Sequence, residues 1–373
     1  MKKIAVISLI DIIPINSGGK AGTFYIVDTL SREFNVDFYY FEKRENSIGL
    51  IPKYNFNRIY LAPKQNLILP KFMKNLHVEY LVFGNLKNKL KNIKCDIVYL
   101  DFPYLYHIAR FVSKNNNNAP IILVEHNIEW QYQKQSGNKL WYLIKLWENF
   151  VIKAVDLVIC VSRKDYDYWI TKYPKKNIFY IEHGVIEEIF NPHGKKFNFP
   201  KDNFNLLFYG KLDSPQNLEA LKFIVNKIAP VVDKDVIINI FGSGKIEKNF
   251  FKHQKIKYYG IVENPAEYIR GADLVIVPLF NSAGVKMRIL ESLYCGKVVL
   301  ATKQAVEGIP EVLKNLVIIC NNEKDFLKYI SYFKKHRDIL AKKEKKITQV
   351  VESYKKINKN KLLNIFKNTL NGV

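Results

Sequence analysis

The strongest constraint on this chain is a rhythm. Short apolar runs recur, each followed by a turn and then by a stretch with helical spacing. "KIAVISLI" leads through "PINSGGKAG" into the helix-like "TFYIVDTLSREF", and "VDFYYF", "CDIVYL", "PIILVEH", "DLVICVS" and "NIFYIEHG" follow. Apolar runs of about 4–8 residues bounded by turn signals read as strands buried on both faces. Such strands separated by helices build a parallel sheet with helices on either side. Near 190–204 the rhythm breaks into "NPHGKKFNFPKDN", rich in Pro, Asn and charge, which reads as a linker. It restarts with "NLLFYG", "VIINIFG", "IKYYG", "DLVIVPL", "KVVLAT" and "LVIIC". A length of 373 residues suits two domains better than one. The expected fold is α/β, with two tandem doubly wound Rossmann-like domains, a central cleft and a C-terminal helical segment. The expected boundaries are 1–190, a linker at 191–204, a second domain at 205–345, and a basic helix at 346–373 packing back on the first domain.

Composition narrows the partners. Lys and Arg number 58 against 35 acids, a net charge of +23. Two readings stay open: an anionic partner such as nucleic acid, phosphate ligand or lipid surface, or a compositional bias decorating solvated faces. No RNA- or DNA-binding signature accompanies the charge. The four cysteines, Cys95, Cys160, Cys295 and Cys320, show no CxxC spacing, so neither a zinc site nor a redox motif is suggested, and a reducing compartment fits. "IAVISLI" superficially resembles a signal peptide, but Asp11 cuts it short and it reads as a first buried strand. No run of about 18 or more apolar residues is present, so no spanning helix is expected.

Ligands of such sheets bind at the C-terminal strand ends, beside helix N-termini. The stretch "PLFNSAGVKMRILESLYCG" lies at such a place. Its register puts Gly284, Arg288 and Glu291 on one face of a helix start. Backbone N–H groups at Ala283, Gly284 and Val285 would form an anion site there. Arg288 could hold a phosphate with its planar fork, with Lys286 as a second cation. Glu291, one turn further, suits the hydroxyls of a ribose. An ordinary capped helix with exposed charges is the competing reading of the same residues.

The wider sequence tips this balance. "GADLVIVPLFNSAGVKMRILESLYCGKVVLATKQAVEGI" resembles the donor-binding region of family 4 glycosyltransferases with the two-domain GT-B fold. "LLFYGKLDSPQNLEALKFIVNKIAP" is similar to the first strand-turn-helix of their C-terminal domain. "DLVICVS" and "IEHGV" resemble their interdomain region, "VEHNIEW" their N-domain histidine loop, and "SGGKAG" their N-terminal glycine loop. Together these motifs span most of the chain in the family's order. The chain also departs from the pattern. Ala283 stands where many members have a sugar-holding Glu, Lys286 and Arg288 are in swapped order, and a Lys is replaced by Gln216.

The resemblance implies a hexosyl-type glycosyltransferase using a UDP- or GDP-sugar, retaining, with no cofactor and no metal. Its acceptor would be a glycan or a lipid-linked glycan in cell-surface polysaccharide or glycoconjugate synthesis. His126, Lys211 and Arg288 are the expected catalytic residues. Gly18, Gly19, Gly210, Lys211, Ser282, Ala283, Gly284, Val285, Lys286, Arg288, Glu291 and Glu307 are expected around the donor, with His183 a further candidate. Asp165-x-Asp167 and Asp233-x-Asp235 look like metal motifs but are expected in a helix and a charged turn. A GT-B nucleotide-sugar epimerase and, behind it, a nucleic-acid-binding protein are the alternatives. The expected location is the cytoplasm, with peripheral attachment to an anionic membrane. Residues 64–94 suggest that attachment, since Lys64, Lys71, Lys74, Lys87, Lys89, Lys91 and Lys94 face a single acid, Glu79.

Overall fold

The structure, a computed structural model, describes residues 1–15, 17–41, 50–61, 86–182, 184–281 and 285–372. The chain divides into two compact units, Met1–His183 with Ile357–Val373, and Gly184–Lys356.

The first unit is built on β1 (Lys3–Ser8), α1 (Gly18–Ser31), β2 (Asn35–Tyr40), β3 (Asn57–Tyr60), α2 (Lys87–Lys91), β4 (Ile97–Leu100) and α3 (Tyr106–Lys114). It continues with β5 (Ile121–Glu125), α4 (Glu129–Gln135), α5 (Trp141–Ala154), β6 (Leu157–Cys160), α6 (Arg163–Lys172) and β7 (Ile178–Tyr180). The seven strands are parallel, in the order β3-β2-β1-β4-β5-β6-β7. Helices on both faces leave the central strands no solvated side. Ile4, Ala5, Val6 and Ile7 are accordingly all fully buried, which is why "IAVI" shows no alternation.

The second unit contains β8 (Phe204–Lys211), α7 (Pro215–Phe223), β9 (Val236–Ser243), β10 (Ile256–Tyr258), α8 (Pro265–Gly271) and β11 (Leu274–Val277). α9 (Met287–Tyr294), β12 (Val299–Ala301), α10 (Glu311–Lys314), β13 (Ile318–Ile319), α11 (Glu323–Lys335) and the start of α12 (Arg337–Leu370) complete it. Its six strands are also parallel, in the order β10-β9-β8-β11-β12-β13. In each unit the strand order reverses beside the first strand. In doubly wound sheets such a reversal is where ligands bind, outside the strand C-termini.

Two boundaries differ from the sequence expectation. Residues 191–204 are packed within the second unit. Phe197 stacks on Tyr268 at 4.1 Å, and Arg270 donates to the carbonyls of Ile189, Asn191 and Lys195 at 3.0, 3.0 and 2.7 Å. Pro, Asn and charge gave that segment its linker-like composition, yet two phenylalanines among them, Phe197 and Phe199, anchor it. The terminal helix begins at Arg337, ahead of the expected 346, and its residues from Ile357 onward belong to the first unit. There Asn358 donates to Glu182 O at 2.8 Å and to the Tyr25 hydroxyl at 3.1 Å, and Phe366 lies 6.3 Å from the Tyr99 ring.

Candidate active site

In the second unit the loops after β8 and β11 flank the reversal of strand order. β8 ends at Gly210-Lys211. Gly210 has φ +141°, and a Cβ on it would strike Nη2 of Arg288. Its cross-strand partner Gly242 has φ +151°, and a Cβ there would run into the Gly210 carbonyl. Glycine at both positions lets the strand ends close up and leaves room for the guanidinium.

Arg288 sits in the first turn of α9, with Cζ 5.4 Å from the centre of the Phe208 ring. Its Nη2 donates to Asn217 Oδ1 at 2.9 Å. Asn217, 2% exposed, in turn donates through Nδ2 to the Lys211 carbonyl at 2.6 Å. One amide thus ties the end of β8 to the start of α9. Nη1 of Arg288 is buried and has no hydrogen-bond partner among the described residues. Burial pulls the Arg288 pKa down, against the opposing influence of Tyr209 and Glu291. A buried guanidinium nitrogen without an acceptor is costly unless a ligand supplies one.

Glu291 follows on the same helix. The Tyr209 hydroxyl donates to its Oε2 at 3.0 Å, and Tyr209 is itself buried and stacked on Phe241 at 4.9 Å. The same hydroxyl lies 2.9 Å from the Arg288 carbonyl, which also accepts from Ser292 Oγ at 2.6 Å, so that carbonyl and the Glu291 carboxyl share the one Tyr209 proton. Burial pushes the Glu291 carboxyl up to about 7, with Tyr209 and Arg288 pulling the other way. Lys286 is 7% exposed at the N-cap of α9. Burial holds its ammonium below the ordinary lysine range, Arg288 adds repulsion, and Glu307 partly offsets both. The loop carrying the exposed Glu307 returns to this helix start, where Gly308 packs against Val285. The Lys211 side chain is exposed at the end of β8.

Gly210, Lys211, Val285, Lys286, Arg288, Glu291 and Glu307 therefore gather at one end of the second sheet. Ser282, Ala283, Gly284 and His183 lie outside the described residues. Sequence reading missed Asn217 and Tyr209. Asn217 in the first turn after "DSP" was the available signal, because a polar side chain there can bond back to its own loop.

In the first unit, Gly18 and Gly19 open α1, capped by Ser17, which accepts from Lys20 N at 3.4 Å. The position of a Cβ on Gly19 would be open space. His126 follows β5, and its imidazole is turned inward, the side chain 6% exposed. Its Nε2 lies 2.9 Å from Asp101 Oδ1 and 3.2 Å from Thr23 Oγ1. Asp101, fully buried, also accepts from Ser8 Oγ at 2.8 Å and Tyr99 OH at 3.0 Å. A carboxylate in such a place needs several donors, and His126 is one of them. That leaves His126 Nδ1, buried and without a partner among the described residues, as the only ring nitrogen open to a ligand.

The other acids of the "VEHNIEW" motif point into the core. Glu148 of α5 accepts from the backbone N–H groups of Glu129 and Trp130 at 2.8 and 3.2 Å, capping α4, and Tyr104 donates to Glu129 at 3.0 Å. Burial raises Glu129 to about 7 and Asp165 to about 6, and holds Glu125 and Glu148 above the ordinary carboxylate range. Clustered raised carboxyls often mark function, but here each hydrogen-bonded member serves a helix end or a core tyrosine. The remaining DxD acids have partners too. Asp167 pairs with Arg163 at 3.0 Å on α6, while Asp233 and Asp235 share Lys334 at 2.7 and 2.6 Å. Among the described residues no three His, Cys, Asp or Glu side chains are placed to hold a metal ion.

Two parallel doubly wound units, the second with cations and a carboxyl at its strand ends, define a GT-B protein. The comparisons agree. Residues 30–188 match the Glycosyltransferase Family 4 description, and residues 203–333 match Glycosyl transferases group 1. The chain is a GT-B glycosyltransferase with a family 4 domain in its first half and a group 1 domain in its second. It is 26% identical over 369 residues to an uncharacterized 44.6 kDa protein in the cps region of Klebsiella pneumoniae, covering 90% of this chain and 92% of that one. Its fold is similar to sucrose-phosphate synthase from Thermosynechococcus elongatus (TM-score 0.69, 14% identity, all of both chains). It is also similar to Anabaena HepE in complex with UDP-glucose (TM-score 0.60, 13% identity, all of both chains).

Proposed function

We propose that the second unit binds a nucleotide-diphosphate sugar, UDP- or GDP-linked, and that the enzyme transfers its hexosyl group with retention to a glycan or lipid-linked acceptor. The observation that carries this reading is Arg288, a cation whose Nη1 is buried and has no partner among the described residues, one turn before Glu291. In transfer, the bond from the anomeric carbon to the diphosphate oxygen breaks and negative charge builds on the leaving group. Fixed cations aimed at that charge lower the barrier most where water is excluded. Arg288, Lys286 and Lys211 take that role, with the backbone N–H groups of 282–285. Glu291, held by Tyr209, accepts from the ribose hydroxyls. These cations do the work a metal does elsewhere, so transfer is metal-independent in this reading. Gly18, Gly19 and His126 serve the sugar and acceptor from the first unit.

The relative from a cps region and the HepE complex with UDP-glucose support a place in polysaccharide synthesis and a UDP-sugar donor. No helix among the described residues is long and apolar enough to cross a membrane. A lipid-linked acceptor would be met by peripheral attachment at the cytoplasmic face. The reading is tested by following radioactive sugar from UDP- and GDP-sugars, with and without lipid acceptors and with and without chelator. Absence of transfer or donor hydrolysis from every nucleotide sugar would overturn it. Conversion of the donor to an epimer would favour the epimerase alternative.

A further inference from the structure

α5 of the first unit is apolar on both faces. Its inner face, Ile144, Val151 and Ile152, is core. Its outer face carries Tyr142, Leu143, Leu146 and Phe150, which are 48, 40, 67 and 53% exposed. Residues at i, i+3/i+4 and i+7 lie on one side of a helix, so these four form a continuous stripe. Nothing among the described residues covers it. Phe150 is propped edge-on by Tyr106 at 5.7 Å and tilted against Trp147 at 5.6 Å, so the stripe is held outward by packed rings.

The charge left exposed on residues 129–154 is of one sign, while just beyond them the exposed Asp156 acts on Tyr106, opposed by Arg110. Over residues 129–154 the only acids are Glu129 and Glu148, 6% and 0% exposed, the first accepting from Tyr104 and the second capping α4 inside. The cations are Lys134, Lys139, Lys145 and Lys153. Lys134 lies 4.8 Å from the Trp141 ring and Lys145 4.8 Å from that of Trp130, so the amines rim the aromatic surface. Leucines and aromatics in a lysine rim, with no exposed acid within residues 129–154, suit the boundary between acyl chains and anionic headgroups. A soluble protein seldom leaves such a patch bare without a partner.

We propose that the α4–α5 hairpin is the surface by which this enzyme docks on an anionic lipid bilayer, with Leu146 and Phe150 entering the acyl boundary. The proposal rests on the peripheral-membrane reading above and names a face for it other than 64–94. Of that segment, residues 64–85 lie outside the described residues. Within the rest, α2 shows exposed Lys87, Lys89 and Lys91 but buries Leu90, which leaves a charged surface without an apolar one.

The test uses the full chain with phosphatidylcholine vesicles, with and without phosphatidylglycerol. The wild type is expected to sediment with the anionic vesicles only, less so at high salt. Brominated acyl chains are expected to quench its tryptophan emission, since Trp130, Trp141 and Trp147 lie in the hairpin. Leu146→Ser with Phe150→Ser should weaken binding about tenfold per side chain. Lys139→Glu, Lys145→Glu and Lys153→Glu together should weaken it about a hundredfold at low salt. Melting curves check that the variants fold. Variants that melt like wild type yet still sediment fully would overturn the hairpin assignment. If Lys71→Glu, Lys74→Glu, Lys87→Glu and Lys91→Glu alone released the protein, the membrane reading would stand without this face. A wild type that ignores every vesicle would remove both. A wild-type dimer dispersed by Leu146→Ser and Phe150→Ser, without vesicle binding, would make the stripe a contact between copies and overturn the lipid assignment.

Discussion

Replacing Arg288 by alanine separates catalysis from stability more cleanly than any other change. Among the described residues the folded protein loses one hydrogen bond, Nη2 to Asn217 at 2.9 Å, and the contact with the Phe208 ring. It is also relieved of a cation that burial disfavours. The two effects oppose each other, so the expected change in folding stability is about 1 kcal/mol or less. Binding loses a charge-assisted contact to phosphate, about 1.5–3 kcal/mol, or roughly 10- to 150-fold in nucleotide Kd. Transfer loses a donor whose partner gains charge in the transition state, a further factor of about 10²–10³ in kcat. Arg288→Lys should fall between, because a single ammonium cannot reach Asn217 and a phosphate at once. The assay is steady-state sugar transfer beside nucleotide calorimetry and thermal melting. If Arg288→Ala keeps kcat within about threefold of wild type while melting normally, the phosphate assignment is wrong.

Further outcomes follow from the same contacts. Asn217→Ala strips both Nη2 of Arg288 and the Lys211 carbonyl of a partner, so stability should drop by about 1–3 kcal/mol and kcat should fall with it, read by denaturant melts and transfer rates. Glu291 titrates near 7 and ribose hydroxyls favour its charged form, so nucleotide affinity should tighten as pH rises through about 7. Glu291→Gln should flatten that profile and mostly raise KM; a variant with an unchanged pH profile would remove the ribose role. Glu129 is raised by burial, so its stabilising effect is fully present below its ordinary pKa of 4.5 and is lost as pH rises through about 7. Melting temperature should therefore fall between about pH 4.5 and 7, by an amount equivalent to about 3 kcal/mol for this group alone, and Glu129→Gln should reduce the slope. His126→Ala should lower both turnover and melting temperature, since it also deprives Asp101 of a donor, while UDP or GDP affinity stays near wild type; a large loss of nucleotide affinity would place His126 elsewhere.

The fold was legible because its cause is local. A strand buried on both faces must be apolar at every position, and a helix must follow to return the chain in parallel, so "IAVIS", "LLFYG" and "LVIV" could be read one at a time. The line of Lys286, Arg288 and Glu291 was legible for the same reason, since helical spacing fixes which residues share a face. Polar side chains between the elements were not legible, because whether such a group meets water or a partner is settled by chain far away in sequence. Asn217 and Arg288 meet across 71 positions, and His126 turns toward Asp101 instead of outward because a fully buried carboxylate stands there. Phe197 and Phe199 read as loop until Tyr268 and Tyr259 came to lie against them. Likewise the outer stripe of α5 could not be told from core in the sequence, since a pattern of apolar residues does not say which of a helix's two faces the rest of the chain will cover.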